Sequence, residues 1–240
     1  MAISLVTGAS RGIGLEVARQ LGKKGHTVLL GVRNAESGKA ALESLRTSGL
    51  TQCDTVTVDV TKSSTIARAA TTIGERFGRL DVLVNNAGIA AYDDVTNVDL
   101  VEARRIMDTN FFGVIEVTNH MLPWLRKSDA AQIVNVSSIL GSLAEHSDPN
   151  AALEAFPTVA YSASKAALNM YTVQLARALR KDTKIRVNAV HPGWIKSDMG
   201  NMLGAAPSEL EHGAKQIVDF AHPTKGPTGG YYHQRFHLRW

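Results

Sequence analysis

Short runs of apolar, β-branched residues alternate along the chain with longer stretches in which apolar residues recur every three or four positions. The first pattern is typical of strands and the second of amphipathic helices. Two of the runs, 80–85 and 131–137, are almost uninterrupted, as expected for strands covered on both faces. We predict strands at 2–7, 27–32, 53–58, 80–85, 131–137, 184–190 and 228–232. We predict helices at 12–24, 36–47, 63–77, 99–126, 159–181 and 207–221.

Regular alternation of strands and helices favours the α/β class, with a doubly wound parallel sheet of about seven strands and helices on both faces. No repeat, linker or low-complexity tract interrupts the pattern, so we expect residues 1–240 to form a single domain. Open sheets of this kind bind ligands at the carboxyl ends of their strands. Residues that directly follow the strands are therefore the first candidates for chemistry.

The composition narrows the class of protein further. Of the 240 residues 44% are apolar and 20% are charged, which is ordinary for a globular protein. The net charge is +4, but lysine and arginine are scattered and no run reaches five, so we expect no nucleic-acid partner. The one cysteine, Cys53, suits a reducing compartment. Without a basic N-terminal signal or about 20 consecutive apolar residues, we expect a cytoplasmic protein with no membrane partner.

The first strand leads into a glycine-rich turn, Thr7-Gly8-Ala9-Ser10-Arg11-Gly12-Ile13-Gly14, which a helix follows. Gly8 would let the chain leave the strand sharply, Gly12 would let backbone approach a pyrophosphate, and Gly14 would let the helix pack against the sheet. The start of the helix offers free N–H groups and the positive end of its dipole to phosphates. We predict that a dinucleotide binds to Gly8, Ser10, Arg11, Gly12, Ile13 and Gly14.

The same turn also fits a different class of enzyme. Gly8, Ser10 and Gly12 form a G-x-S-x-G pattern, which carries the nucleophile of α/β-hydrolases at a strand-to-helix turn. A hydrolase needs an earlier strand and loop to donate an N–H to the oxyanion. Here the turn follows the first predicted strand, and no earlier strand and loop is present to donate this N–H. A hydrolase is therefore disfavoured.

Five further motifs follow in order along the chain. They are Asn85-Asn86-Ala87-Gly88, Asp108-Thr109-Asn110, Ser137-Ser138, Tyr161-Ser162-Ala163-Ser164-Lys165 and Pro192-Gly193-Trp194-Ile195-Lys196-Ser197. With the T-G-x-x-x-G-x-G turn, they resemble the motifs of the short-chain dehydrogenases/reductases over residues 3–232. The resemblance implies a Rossmann-like fold. It is nearest to NADPH-dependent carbonyl reductases with a lengthened serine-to-tyrosine segment, since Ser138 and Tyr161 lie 23 positions apart and 143–158 has the character of an inserted loop.

This resemblance implies a catalytic centre formed by Asn110, Ser138, Tyr161 and Lys165. Tyr161 and Lys165 are one helical turn apart and share a face. A nearby ammonium and a cationic nicotinamide would lower the phenol's pKa from its usual ~10. Tyr161 would then exchange a proton with the substrate oxygen, which Ser138 would hydrogen-bond. Lys165 would bind the nicotinamide ribose, and Asn110 would hold a water that links Lys165 to solvent. Ser137 is a minor alternative to Ser138, and Asn110 could instead simply bond the backbone.

The end of the second strand bears on the choice of cofactor. NAD-specific sheets place an acidic residue there to hold the ribose 2′-hydroxyl. Here Val32 takes that position and Arg33 follows, and a guanidinium suits a 2′-phosphate. Arg11 can reach the same phosphate, so we predict NADP(H). The remaining predicted cofactor contacts are Asp59, Val60, Asn86, Ala87, Gly88, Tyr161, Lys165, Pro192, Gly193, Ile195 and Ser197.

The substrate pocket should lie beyond the same strand ends. Its predicted residues are mostly apolar, which favours a hydrophobic ketone or aldehyde: Tyr92, Leu140, Phe156, Trp194, Met199 and Met202. Residues 194–213 could form a lid. The spacing of the histidines and the cysteine suggests no metal site. Relatives are often homodimers or homotetramers, which we predict here, although the inserted loop could obstruct that surface.

The resulting function is the NADPH-dependent reduction of a carbonyl compound. Two alternatives stay open: an NADP-dependent alcohol dehydrogenase working in the oxidative direction, and a non-catalytic regulator that senses NADPH. Arg11 and Arg33 favour reduction, because cells keep NADP mostly reduced. The presence of Ser138, Tyr161 and Lys165 together argues against an inactive site.

Overall fold

The computed structural model describes residues 1–150, 153, 156–182, 184–202, 204–222 and 226–240. Its strands are β1 (Ile3–Thr7), β2 (Thr27–Val32), β3 (Cys53–Thr57), β4 (Val82–Asn85), β5 (Ala131–Val136), β6 (Ile185–Val190), β7 (Tyr231–His233) and β8 (Phe236–His237). Its α-helices are α1 (Gly12–Lys23), α2 (Ala35–Thr47), α3 (Ser63–Phe77), α4 (Leu100–Met107), α5 (Gly113–Leu125), α6 (Leu143–His146), α7 (Val159–Ala178), α8 (Asp198–Met202) and α9 (Leu210–Ala221).

All eight strands belong to one sheet, in the order β3-β2-β1-β4-β5-β6-β7-β8. Strands β1 to β7 pair in parallel, and only β8 runs antiparallel, beside β7. The chain winds outward in one direction from β1 to β3 and in the other from β4 onward. The predicted doubly wound α/β sheet is therefore confirmed, with a switch in winding direction between β1 and β4, where such folds bind ligands.

Two apolar clusters cover the two faces of the sheet. Neighbouring residues of β1, Leu5 and Val6, are both fully buried but belong to opposite clusters. The Leu5 side packs against α3 and α5, and the Val6 side packs against α1, α2 and α9. Because both faces are covered, residues of either parity along the central strands are buried. This explains why apolar residues there do not alternate with polar ones.

The sheet has one strand more than predicted. The prediction of a last strand at 228–232 is displaced toward the C-terminus, since β7 covers Tyr231–His233. The chain then turns through Gln234 and Arg235, both at positive φ, and returns as β8. Both β8 residues are exposed, so the strand has no apolar alternation by which the sequence could indicate it.

The predicted helix 99–126 is interrupted. Between α4 and α5 lies a wider, π-helical turn, Asp108–Phe112. At its end Gly113 comes so close to the loop after β3 that a Cβ would lie 2.6 Å from the carbonyl oxygen of Val60. The short helices α6 and α8 and a 3-10 turn at Ile139–Gly141 were not predicted, because each is too short to show a helical period.

The described residues include neither a membrane-spanning helix nor a cluster of metal ligands. None of the helices there combines the length and the apolar character that a membrane crossing requires. Within the same ranges, no three histidine, cysteine, aspartate or glutamate side chains lie close enough together to hold a metal ion.

Candidate active site

The glycine-rich turn joins β1 to α1 in a conformation that requires glycine. Gly8 and Gly12 have φ values of +65° and +57°, which other residues rarely adopt. A Cβ on Gly14 would lie 2.5 Å from the carbonyl oxygen of Gly8. A Cβ on Gly12 would meet nothing within 4 Å, so this side of the turn is open. Helix α1 begins there with no side-chain cap and no acidic residue in its first turn, which fits a pyrophosphate at its N-terminus.

The Asn86-Ala87 segment after β4 is tied to this turn. The Asn86 side chain donates to the carbonyl oxygen of Thr7 (2.9 Å), and the backbone N–H groups of Asn86 and Ala87 donate to the Thr7 hydroxyl (3.0 and 3.1 Å). The Asn86 side-chain amide, which was predicted to contact a cofactor, therefore stabilises the glycine-rich turn by hydrogen bonding. Thr7 anchors both segments, and sequence reasoning missed this role because the residue was taken only as the end of a strand.

Ser138, Tyr161 and Lys165 lie together beyond the end of β5. All three are buried, and the side chains of Ser138 and Tyr161 share a hydrogen bond. The Lys165 ammonium lies 5.5 Å from the centre of the Tyr161 ring and donates to the carbonyl oxygen of Val136 (2.8 Å). The hydroxyl of Ser137 instead donates to Asn169 (2.7 Å), so of the two serines only Ser138 faces Tyr161.

Burial dominates the pKa of Tyr161 in the protein without a cofactor. It raises the pKa of Tyr161 to about 12, and the hydrogen bond with Ser138 opposes the rise. Burial also lowers the pKa of Lys165 to about 8. Tyr161 is consequently a protonated phenol at neutral pH, the form that can donate a proton. The predicted lowering of the phenol's pKa by Lys165 and a cationic nicotinamide together concerns the enzyme with its oxidised cofactor and stays a prediction.

Asn110 lies in the π-helical turn and connects two parts of the site. Its side-chain oxygen accepts a hydrogen bond from the N–H of Ile89 (2.9 Å), and its amide donates to the Ile89 carbonyl oxygen (2.9 Å) and the Ser164 hydroxyl (3.0 Å). A Cβ on Gly88 would lie 3.3 Å from the Asn110 oxygen and 3.7 Å from the Lys165 nitrogen. Asn110 is thus beside Lys165, and it holds the loop after β4 against α7.

The loop after β6 arches from Pro192 to Ser197 and leads into α8. Gly193 has a φ of +97°, and Ile195 is buried and pairs with Ser208. The Ser197 hydroxyl, just before α8, accepts a hydrogen bond from the N–H of Gly200 within that helix (3.0 Å).

An ion pair joins the start of α8 to the glycine-rich turn, since Arg11 contacts Asp198 at 2.8 Å. Both of these side chains are about three-quarters exposed, at 77% and 75%. The prediction placed Arg11 toward a 2′-phosphate; here it spans to α8. Exposed Arg33 follows β2, whereas Asp59 and Val60 follow β3, so these three lie on the other side of the turn.

The six predicted substrate residues are only partly brought together. Leu140 and Phe156 line a cavity of about 560 Å³ between the 3-10 turn, α6 and the start of α7. The Trp194 ring meets the Phe156 ring edge-on at 5.4 Å, and its indole N–H donates to Gly200. Tyr92 and Met202 are about half exposed, and neither these two nor Met199 line that cavity. Positions 151, 152, 154 and 155 of the predicted inserted loop lie outside the described residues.

Comparison with known proteins decides the family of this site. The family model for short chain dehydrogenases matches residues 2–207. The chain belongs to the short-chain dehydrogenase/reductase family. Members of this family are oxidoreductases that interconvert carbonyl and alcohol groups with a nicotinamide cofactor.

Relatives of this short-chain dehydrogenase/reductase cover nearly its whole length. Short-chain dehydrogenase/reductase 1 of Saponaria officinalis is 35% identical, over 95% of this chain and 93% of the relative. The solved structure of salutaridine reductase from Papaver somniferum is 30% identical with a TM-score of 0.84, covering 97% of this chain and 99% of that one. The NADPH-bound carbonyl reductase from chicken fatty liver is 27% identical with a TM-score of 0.88, and both chains are covered completely.

One contact of this short-chain dehydrogenase/reductase was missed entirely by sequence reasoning. The hydroxyl of Tyr231 donates to the backbone carbonyl oxygen of Ser138 at 2.5 Å. The two residues are 93 positions apart, and the bond joins a side chain to backbone. No periodicity or motif in the sequence signals such a contact.

Proposed function

We propose that this short-chain dehydrogenase/reductase reduces an apolar ketone or aldehyde to the alcohol, with NADPH as reductant, and that residues 1–240 act as one catalytic domain. The observation that carries the proposal is the hydrogen-bonded pair of Ser138 and Tyr161, with Lys165 over the phenol ring, at the carboxyl ends of the strands. Together these groups can hydrogen-bond a carbonyl oxygen and give it a proton while the carbonyl is reduced to an alcohol.

The chain's own residues would handle the carbonyl oxygen and its proton. The nicotinamide of NADPH, when bound, supplies a hydride to the carbonyl carbon. Tyr161 gives its hydroxyl proton to the oxygen, which becomes the alcohol hydroxyl. Ser138 donates a hydrogen bond to the same oxygen and stabilises its developing charge. Lys165 stabilises the phenolate left on Tyr161, because an ammonium near a phenol favours its charged form.

The cofactor would lie along the carboxyl ends of the strands, from the glycine-rich turn to the loop after β6. The open turn at Gly12 and the uncapped start of α1 suit its pyrophosphate. Arg33 suits a 2′-phosphate, and no carboxylate occupies the position of Val32. The chicken carbonyl reductase, whose fold this chain shares, holds NADPH. These features support NADP(H) rather than NAD(H).

A substrate with an apolar body suits the side chains on this face of the sheet. Leu140 is buried beside the site, and Phe156 and Trp194 pack edge to face. Burying apolar surface gives about 25 cal/mol per Å², which a sugar phosphate could not use. A phosphorylated substrate would also need cationic side chains, which none of the six predicted pocket residues supplies.

A panel assay tests the proposal directly. Purified protein is mixed with NADPH and a series of aromatic and aliphatic ketones and aldehydes, and the near-ultraviolet absorbance of NADPH is followed. Turnover of apolar carbonyls, with little turnover of charged ones, is the expected result. NADPH binding without turnover of any compound would favour a regulator that senses NADPH. Turnover confined to alcohols and NADP⁺ would favour the oxidative direction.

The Arg11–Asp198 pair leads to a separate prediction. Asp198 holds the guanidinium that would otherwise be available to the 2′-phosphate. An exposed ion pair contributes only about 0.2–1 kcal/mol, so Asp198→Asn should tighten NADPH binding by about two- to fivefold. Equilibrium fluorescence titration measures both cofactors, and NADH affinity should not change. Asp129→Asn, which removes an exposed carboxylate from a pair with Lys184, is the matched control. Equal gains for NADH and NADPH would contradict this role of Asp198.

A further inference from the structure

The segment Tyr231–Trp240 crosses behind the turn that carries Ser138. Tyr231 is fully buried, and its hydroxyl donates to the Ser138 carbonyl oxygen at 2.5 Å. The same oxygen also accepts a bond from the N–H of Gly141 at 2.8 Å, within the 3-10 turn. Ser138 is thus held by one bond from its own turn and by one from a distant part of the chain.

Other residues of the segment fix Tyr231 in place. The Trp240 ring stacks on the Tyr231 ring, with centres 5.4 Å apart and planes 22° apart. The N–H of Leu238 donates to the Tyr231 carbonyl oxygen at 2.8 Å. Burial raises the pKa of Tyr231, so its hydroxyl keeps the proton that it donates. The tyrosine therefore has a single, well-defined direction in which to present its hydroxyl.

The far end of the Ser138 turn is held by the same segment. The Ser142 hydroxyl donates to the carbonyl oxygen of Arg239 (2.8 Å), and the N–H of Ala144 donates to that of Trp240 (2.9 Å). The Arg239 guanidinium contacts Glu145 of α6 at 3.1 Å and Asp148 at 3.4 Å. Segment 231–240 consequently holds the chain from Ser138 to Asp148 at both ends. We call this segment the clamp.

The direction of the Ser138 hydroxyl depends on this clamp. The hydroxyl accepts a weak bond from the N–H of Leu140 (3.3 Å) and shares one with Tyr161. A donor to a developing oxyanion must sit within a few tenths of an ångström of its place, because its effect falls steeply with distance and angle. A backbone shift at Ser138 would carry the hydroxyl away from the substrate oxygen and from Tyr161 together.

We propose that Tyr231 is a positioning residue for the reduction, which acts by holding the backbone of Ser138 through its hydroxyl while Trp240 holds Tyr231. This inference rests on the proposed function, because it assigns Ser138 a role in the reaction. Tyr231 contacts neither substrate nor cofactor in this role.

The test is a double-mutant cycle with Tyr231→Phe and Ser138→Ala, measured on the NADPH-loaded enzyme. Loss of an entire oxyanion donor costs about 10²- to 10³-fold in kcat, and a displaced donor should cost less. We expect Tyr231→Phe to lower kcat by about five- to twentyfold, with the KM for carbonyl and the Kd for NADPH within twofold. In the Ser138→Ala background, Tyr231→Phe should change kcat by less than twofold, because the hydroxyl being positioned is already gone.

Two controls separate positioning from damage to the fold. Tyr232→Phe makes the same chemical change one residue away, on a ring that stacks against Phe220, and should leave kcat unchanged. Should Tyr231→Phe not fold, Trp240→Leu weakens the clamp without touching the hydroxyl and should lower kcat by about two- to fivefold through the same Ser138-dependent cycle.

The outcomes of these experiments distinguish the positioning role of Tyr231 from the proposed carbonyl reduction on which it rests. Equal losses from Tyr231→Phe with and without the Ser138 hydroxyl would overturn the positioning role, as would an unchanged kcat in the single variant. Full activity of Ser138→Ala would overturn the role of Ser138 and with it the positioning role of Tyr231, whereas no turnover of any carbonyl by the native protein would overturn the proposed function.

Discussion

Replacing Tyr161 by phenylalanine is expected to lower kcat/KM for carbonyl reduction by about 10²- to 10⁴-fold, the usual contribution of a general acid. The phenol lies beside the Ser138 side chain at the proposed reaction site, and burial keeps it protonated at neutral pH. Phenylalanine keeps the ring over which the Lys165 ammonium lies, so NADPH affinity should stay within about twofold. Steady-state kinetics and a fluorescence titration with NADPH measure the two quantities.

Tyr171→Phe is the matched control for this result. Tyr171 lies on the same helix, α7, ten positions after Tyr161. Its phenol is partly buried. Its loss should leave kcat/KM within about twofold. If Tyr161→Phe retained more than a tenth of the native kcat/KM, another group would have to supply the proton, and the mechanism would be wrong.

Replacing Arg33 by alanine is expected to lower kcat/KM for NADPH by about 10- to 100-fold and to leave that for NADH nearly unchanged. A charge-assisted hydrogen bond contributes about 1.5–3 kcal/mol, and only NADPH carries the 2′-phosphate that Arg33 would bind. Kinetics with each cofactor at fixed carbonyl concentration give the ratio. Arg180→Ala, an exposed arginine after α7 and far from β2, is the control.

The native protein itself offers the decisive comparison for this second prediction. It should use NADPH with at least a tenfold higher kcat/KM than NADH. A native preference for NADH would contradict the prediction that Arg33 binds the 2′-phosphate of NADPH. Equal losses with both cofactors in Arg33→Ala would contradict it as well.

The parts of this fold that were predictable from sequence are those with strong local patterns. Strands such as Val82–Asn85 and Ala131–Val136 are covered on both faces, and their sequences are mostly apolar. Once the strands are parallel, topology brings the residues after them to one edge of the sheet. The proximity of Ser138 to Tyr161 thus follows from the element order, although their roles in catalysis stay predictions.

Two of the features that were missed depend on contacts between distant residues. The bond from Tyr231 to Ser138 and the Arg11–Asp198 pair join residues far apart in the sequence, whereas strand β8 was missed because it consists of two exposed residues. The rise in the Tyr161 pKa caused by burial in the protein without a cofactor was not foreseen, because the sequence shows the neighbouring charge but not the depth of burial. The NADP(H) preference and the homodimer or homotetramer remain predictions from sequence.

The π-helical turn between α4 and α5 meets two requirements that a regular helix could not meet together: it keeps core residues buried on both sides of the turn, and it directs Asn110 toward the site. An inserted residue of the π-helical kind shifts the phase of everything beyond it by about 100°, because an α-helix advances one residue per 1/3.6 of a turn. Ile106 before the insertion and Val117 after it are both fully buried, while Asn110 between them faces the site. Deleting one residue here would restore regular winding, yet it would rotate one of these flanks out of the core. The number of residues in this helix is therefore as important to the site as their identity.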